Sequence, residues 1–114
     1  MPYMVITSNT GLSPHRRVEL LTAASQAVSE MLGKSENYVM ASYLHNDDMV
    51  FAGNNEPTAY VELKSIGLPD DQTSGFSSAI CKLLDHHLGV PADRVYIEFS
   101  SAERHLWGWN NKTF

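Results

Sequence analysis

The sequence predicts an α+β fold. It reads as a duplicated β-α-β unit whose four strands form one mixed sheet, with two helices on one face and short strands at the edges. Three observations point there. Two β-rich stretches each run, through a glycine break, into an amphipathic helix that ends on glycine. A further β-rich stretch follows each helix. The two halves, residues 1–57 and 58–114, also correspond at an offset of 56 residues: Val5 with Val61, Gly11 with Gly67, Leu12 with Leu68, Ala23 with Ala79, Leu32-Gly33 with Leu88-Gly89, Val39 with Val95, Asn54-Asn55 with Asn110-Asn111. The paired glycines fall at strand ends and helix ends, where chance identity would not concentrate them.

The elements follow in order. Tyr3 to Ser8 is rich in β-formers, and Asn9-Thr10-Gly11 breaks it. Ser13-Pro14 supplies an N-cap and a first-turn proline. Val18, Leu21, Ala24, Val28 and Met31 recur at helical spacing, widened by Leu20 and Ala27, and Gly33 ends the helix. Tyr38 to Leu44 reads as the second strand, and Met49 to Ala52 as a short one. Thr58 to Ile66 alternates as a strand. Pro69-Asp70-Asp71 opens a second helix with the apolar stripe Phe76, Ala79, Ile80, Leu83, Leu84 and Leu88, closed by Gly89. Arg94 to Phe99 is the fourth long strand, and Leu106-Trp107 a short one before Gly108-Trp109-Asn110-Asn111.

Composition narrows the function classes. A chain of 114 residues with 43% hydrophobic content is one domain with a real core. A net charge of -5 argues against nucleic acid as a partner. The single cysteine, Cys81, forms no intrachain disulfide and fits a reducing compartment. No apolar run approaches the roughly 18 residues of a membrane span, and no signal peptide is visible, so the reading is a cytoplasmic protein with no membrane partner. Helices on one sheet face leave the other uncovered. Met4, Ile6, Tyr60, Tyr96 and Phe99 are expected to leave apolar surface there, which a closed homo-oligomer would bury. A domain this small fits a binding site shared between subunits.

Chemistry starts at the front of the chain. Pro2 follows Met1, and removal of Met1 would free a secondary ring amine, a base and nucleophile that no side chain supplies. Elsewhere, His45 with Asp47 and Asp48 could hold a metal, but a polar loop explains them, and no metal or cofactor is expected.

The Met1-Pro2 opening, Gly33-Lys34, Lys64-Ser65-Ile66-Gly67, Asp93-Arg94-Val95-Tyr96-Ile97 and the ending Gly108-Trp109-Asn110-Asn111-Lys112-Thr113-Phe114 together resemble the macrophage migration inhibitory factor family of the tautomerase superfamily, in a bacterial-type form. The resemblance spans essentially the whole chain. It implies a homotrimer whose sheets line a central barrel, with sites at subunit interfaces. It implies keto–enol tautomerisation of a small aryl α-keto acid such as phenylpyruvate, with Pro2 as base and acid. Lys34 matches the lysine that attracts the substrate carboxylate, Ile66 a backbone contact, and Tyr96 a tyrosine from the adjacent subunit. Tyr38, Trp109 and Phe114 match aromatic positions at the pocket mouth.

Three departures stand out. Glu98 replaces an asparagine of the mammalian cytokine, Thr58-Ala59-Tyr60-Val61 replaces a Cys-x-x-Cys pair, and Trp107 and Tyr3 replace smaller or unbranched apolar residues near the pocket. The missing cysteines remove any redox role. Glu98 shares a sheet face with Tyr96 and, near Pro2, would raise the amine pKa or pair with Lys34, weakening or retuning the activity. Two other readings remain open: a cytokine-like binding protein with relic activity, released without a signal peptide, and a hydratase or decarboxylase using the same proline.

Overall fold

The computed structural model describes every residue, Met1–Phe114. The elements run β1 (Tyr3–Ser8), α1 (Pro14–Leu32), β2 (Met40–His45), β3 (Ala59–Ile66), α2 (Thr73–Leu88), β4 (Val95–Ala102), and the two-residue strands β5 (Gly108–Trp109) and β6 (Lys112–Thr113). The main sheet has the order β2-β1-β3-β4. β1 runs parallel to β2 and antiparallel to β3, and β3 runs parallel to β4. The sheet is therefore mixed, two parallel β-α-β units joined by an antiparallel seam. β5 and β6 form their own hairpin and do not extend the main sheet.

Local chemistry accounts for the helix ends. The Ser13 hydroxyl accepts from the Arg16 N–H, and Pro14 opens α1 where its missing N–H costs nothing. Gly33 and Gly89 close the two helices at φ 62° and 68°, a left-handed conformation that disfavours any residue with a Cβ. Asp70–Gln72 forms a 3-10 turn, so α2 begins at Thr73 rather than at Pro69 and the acids that follow it.

The core lies between the sheet and both helices. Leu20, Ala24 and Val28 of α1 and Phe76, Ile80, Leu84 and Leu88 of α2 are buried. They pack on Met4, Ile6, Val61 and Leu63. Two expectations are corrected here. Val18 is mostly exposed, because α1 turns its Leu20–Ala24–Val28 line inward and leaves Val18 and Leu21 over a shallow groove near Ala41. Met4, Ile6 and Phe99 do not lie on the open sheet face. Register pairs Met4 with Leu63 and Ile6 with Val61, all facing the helices, and Phe99 packs against that core near Phe76. Strand parity then puts Tyr60, Glu62 and Lys64 on the opposite face beside Tyr96, Glu98 and Ser100. The open face is more polar than expected: the Tyr60 hydroxyl donates to Glu98, and Lys64 lies 3.8 Å from Glu62.

Smaller differences concern the loops. Tyr38 closes a 3-10 turn (Glu36–Tyr38) instead of starting β2. Met49 to Ala52 carries only an isolated bridge, Phe51 to Asn54. Arg104–Leu106 is a 3-10 turn, so the short strand starts at Gly108. No helix is long and apolar enough to cross a membrane.

Candidate functional site

The start of β1 places the site. Pro2 is fully buried, and its carbonyl accepts from the Met40 N–H at 3.0 Å, which fixes it against the first residue of β2. Pro2 forms part of the wall of a cavity of about 370 Å³, with Met1, Tyr3 and Met40 on the strand side. The Pro2 nitrogen is an amide here, since it carries Met1.

Aromatic side chains close the other wall. Trp109 and Phe114 stack at 5.6 Å with an interplanar angle of 14°. Tyr38 meets both edge-on, at 5.6 Å from Trp109 and 6.4 Å from Phe114. The β5–β6 hairpin holds this group. Asn110 and Asn111 take positive φ (53° and 64°), as a two-residue hairpin turn demands, and Asn tolerates that better than most residues. The Phe114 N–H then donates to the Trp107 carbonyl at 3.2 Å and carries the terminal ring back to the cavity, where Trp107 also lies.

Lys34 stands just after the α1 cap. Its N–H donates to the Ser29 carbonyl at 3.1 Å, and the Ser29 hydroxyl donates to its carbonyl at 2.5 Å. With the backbone held at both ends, the side chain reaches across to the end of β3 and donates from Nζ to the Ile66 carbonyl at 2.7 Å. The same carbonyl accepts from Ser65 Oγ at 3.2 Å. Lys34 makes no ion pair with any carboxylate. It is not one of the residues forming the cavity wall, yet it lies within electrostatic reach of the chain-start amine. Partial burial lowers that amine's pKa first, and the Lys34 cation lowers it further. The Lys34 ammonium is itself pushed down by burial and then by Arg104.

The structure thus gathers Pro2, Tyr38, Trp107, Trp109 and Phe114 around one space, with Lys34 and Ile66 joined beside it. It does not bring Tyr96 and Glu98 there. Tyr96 is opposite Tyr60, which is opposite Thr7; Glu98 is opposite Glu62, which is opposite Val5. Two strand spacings of about 4.8 Å, plus about 3.3 Å per residue along β1, separate both from Pro2 of the same chain. Tyr96 instead rests edge-on against Phe51 at 5.0 Å, and Glu98 accepts from Tyr60. Lys34 and Glu98 form no ion pair within the chain. His45, expected in a polar loop, is the last residue of β2 and lies 2.9 Å from Asp47.

Sequence reasoning missed Asn37, Val39 and Met40, which also line the cavity. Met40 could have been found from pairing alone: β2 parallel to β1 sets it beside Tyr3.

Comparison with known proteins agrees with this architecture. A family model described as macrophage migration inhibitory factor matches residues 1–114. A macrophage migration inhibitory factor homolog of Brugia malayi is 35% identical over 117 residues, covering 100% of this chain and 99% of the relative. The Mus musculus macrophage migration inhibitory factor is 31% identical with the same coverage. Among solved structures, the homologue from Prochlorococcus marinus superposes with a TM-score of 0.91 at 42% identity, covering 98% of each chain. The macrophage migration inhibitory factor-like protein of Entamoeba histolytica gives a TM-score of 0.93 at 25% identity, covering 99% of this chain and 98% of its own. The chain belongs to the macrophage migration inhibitory factor family and carries the tautomerase-superfamily fold.

Proposed function

We propose that the chain, once Met1 is removed, is a keto–enol tautomerase for a small aryl α-keto acid of the phenylpyruvate type. One observation carries this reading. The position where a free proline amine would stand is buried against an aromatic cavity, and Lys34, the cation that acts on the chain start, has a backbone carbonyl but no carboxylate for a partner.

Each part has a task. The neutral proline nitrogen takes the proton from the enol oxygen and returns it to the carbon, so the amine is base, then acid, and ends unchanged. An α-amino group ordinarily titrates at about 7.7–8.0. Burial first, and Lys34 second, lower the pKa of the Met1 amine; the same two influences would act on a freed Pro2 amine, which is buried, and favour its neutral form. The Lys34 ammonium attracts the substrate carboxylate while Ile66 keeps it aimed. Tyr38, Trp109 and Phe114 receive the aryl ring. The assembly is a homotrimer with sites between subunits. Tyr96 and Glu98 enter the site of a neighbouring copy, which accounts for their distance from Pro2 of their own chain.

The test compares phenylpyruvate and hydroxyphenylpyruvate turnover by three proteins: chain beginning at Pro2 as shown by intact mass, chain retaining Met1, and Pro2→Gly. A loss of about 10²–10⁴ in kcat/KM is expected when the amine is blocked or replaced. Equal rates would remove the catalytic role of Pro2, and a monomeric mass in solution would remove the shared site.

A further inference from the structure

Lys34 has a second cation beside it. Ile66, whose carbonyl holds the Lys34 ammonium, is in register with Ala102 at the end of β4. Two residues on, Arg104 opens the 3-10 turn that leads into the cavity-lining Trp107, and its carbonyl accepts the Trp107 N–H at 3.2 Å. The Arg104 side chain is exposed and makes no hydrogen bond or ion pair; its acidic neighbour Glu103 is engaged by His105 at 3.4 Å. The register of Ile66 with Ala102 brings the start of this turn close to the Lys34 ammonium, and the Arg104 charge lowers the Lys34 pKa after the larger effect of burial.

Two like charges near the paired ends of β3 and β4 repel each other until an anion arrives. Their donors also differ. Lys34 spends one of its three on Ile66, whereas the planar guanidinium has a whole fork free for a carboxylate. We propose that Arg104 is a second carboxylate-binding residue, sharing the acid group of the ligand with Lys34, so that the site selects aryl compounds with an acidic tail over their neutral isosteres. This deepens the tautomerase reading and rests on its placement of the ligand, not on its chemistry.

The experiment therefore reads binding without turnover. Calorimetry on the chain beginning at Pro2 would use 3-phenylpropionate and its neutral isostere 3-phenylpropanamide, neither of which can tautomerise. Arg104→Gln is expected to weaken the carboxylate about tenfold, with Arg104→Lys recovering part of that loss and the amide unaffected by either change. An unchanged carboxylate affinity in Arg104→Gln would overturn the assignment, as would an equal loss for the amide, which would mark a merely structural role. A parent protein that binds neither compound overturns it too. Failure of the tautomerase assay alongside Arg104-dependent carboxylate binding would sink the proposed activity and leave this inference standing; an active enzyme whose carboxylate binding ignores Arg104 would do the reverse.

Discussion

The two β-α-β units meet the same problem at the start of their first strand and solve it differently. Shifted by 56 residues, Pro2, Lys34 and Tyr38 become Thr58, Val90 and Arg94. In the second unit that corner is closed. Thr58, Val90 and Arg94 are all buried, and the Thr58 hydroxyl donates to the Arg94 carbonyl at 2.8 Å. The Arg94 guanidinium folds back under residues 51–57. It donates to the carbonyls of Pro57 (2.9 Å), Phe51 (3.1 Å), Glu56 (3.1 Å) and Asn54 (3.4 Å), and lies over the Phe51 ring. In the first unit Tyr38 borders open space, and the cation of that corner, Lys34, spends one donor and keeps the rest. A shared backbone thus yields a plug in one half and a cavity in the other. What separates them is which side chain carries the positive charge and how many of its donors are already used, so function lives in the side chains rather than in the fold.

Removing each cation should break the two corners in opposite ways. The largest effect is expected for Arg94→Met. The Pro57 carbonyl would lose its donor, and those of Phe51, Asn54 and Glu56, which keep bonds from Asn54 N–H, Phe51 N–H and Asn9 Nδ2, would each lose a second one, at a cost of about 2–4 kcal/mol in unfolding free energy. Urea denaturation at fixed protein concentration measures it, and a loss under about 1 kcal/mol would mean water can serve those carbonyls equally well.

Lys34→Met should show the reverse pattern. Lys34 is partly exposed and releases only one carbonyl, which Ser65 still serves, so stability should fall by less than about 1 kcal/mol. Activity should fall about 10- to 100-fold in kcat/KM, mainly through KM, because a charge-assisted contact to the substrate is lost. The same variant carries a pH signature. The cation lowers the pKa of the Met1 amine and, acting likewise on the freed Pro2 amine, would on removal move the acid limb of kcat/KM to higher pH. The move should be partial, since the burial of Pro2 remains. A kcat loss with no KM change, or a limb that moves to lower pH, would take Lys34 out of its proposed place.

The contrast between the corners also explains what could be read from residues alone. Helix ends were legible because Gly33, Gly89 and Ser13-Pro14 act through their own backbone. The meeting of Pro2 with the terminal aromatics around one cavity was legible because a specific set of motifs carries them. Arg94 was visible only as one arginine in a strand motif, since its partners are backbone carbonyls of a loop about 40 residues earlier and no side-chain pattern encodes them. Arg104 was hidden for a related reason: its nearness to Lys34 follows from the pairing of β3 with β4 and from a side chain crossing to Ile66. The apolar reading of the open sheet face failed on parity. Met4, Ile6 and Phe99 were grouped with Tyr60 and Tyr96, yet a one-residue difference in strand phase sends a side chain to the opposite face.

The smallest expected effect tests whether the open corner is completed by a second chain. Within one chain Glu98 is too far from Pro2 to influence it and is bound by Tyr60, whose own hydroxyl pKa is raised by burial first and by Glu98 next. In a trimer that carries Tyr96 and Glu98 to the neighbour's cavity, the carboxylate would stabilise the protonated amine and raise its pKa. Glu98→Asn should then move the acid limb of kcat/KM to lower pH by about half a unit, the shift that a screened charge interaction of roughly 0.7 kcal/mol produces. The sign is opposite to that of Lys34→Met, so the two variants calibrate each other in one set of pH profiles. A superimposable profile for Glu98→Asn, in a protein that is trimeric and responds to Lys34→Met, would leave Glu98 as a partner of Tyr60 on the open sheet face and nothing more.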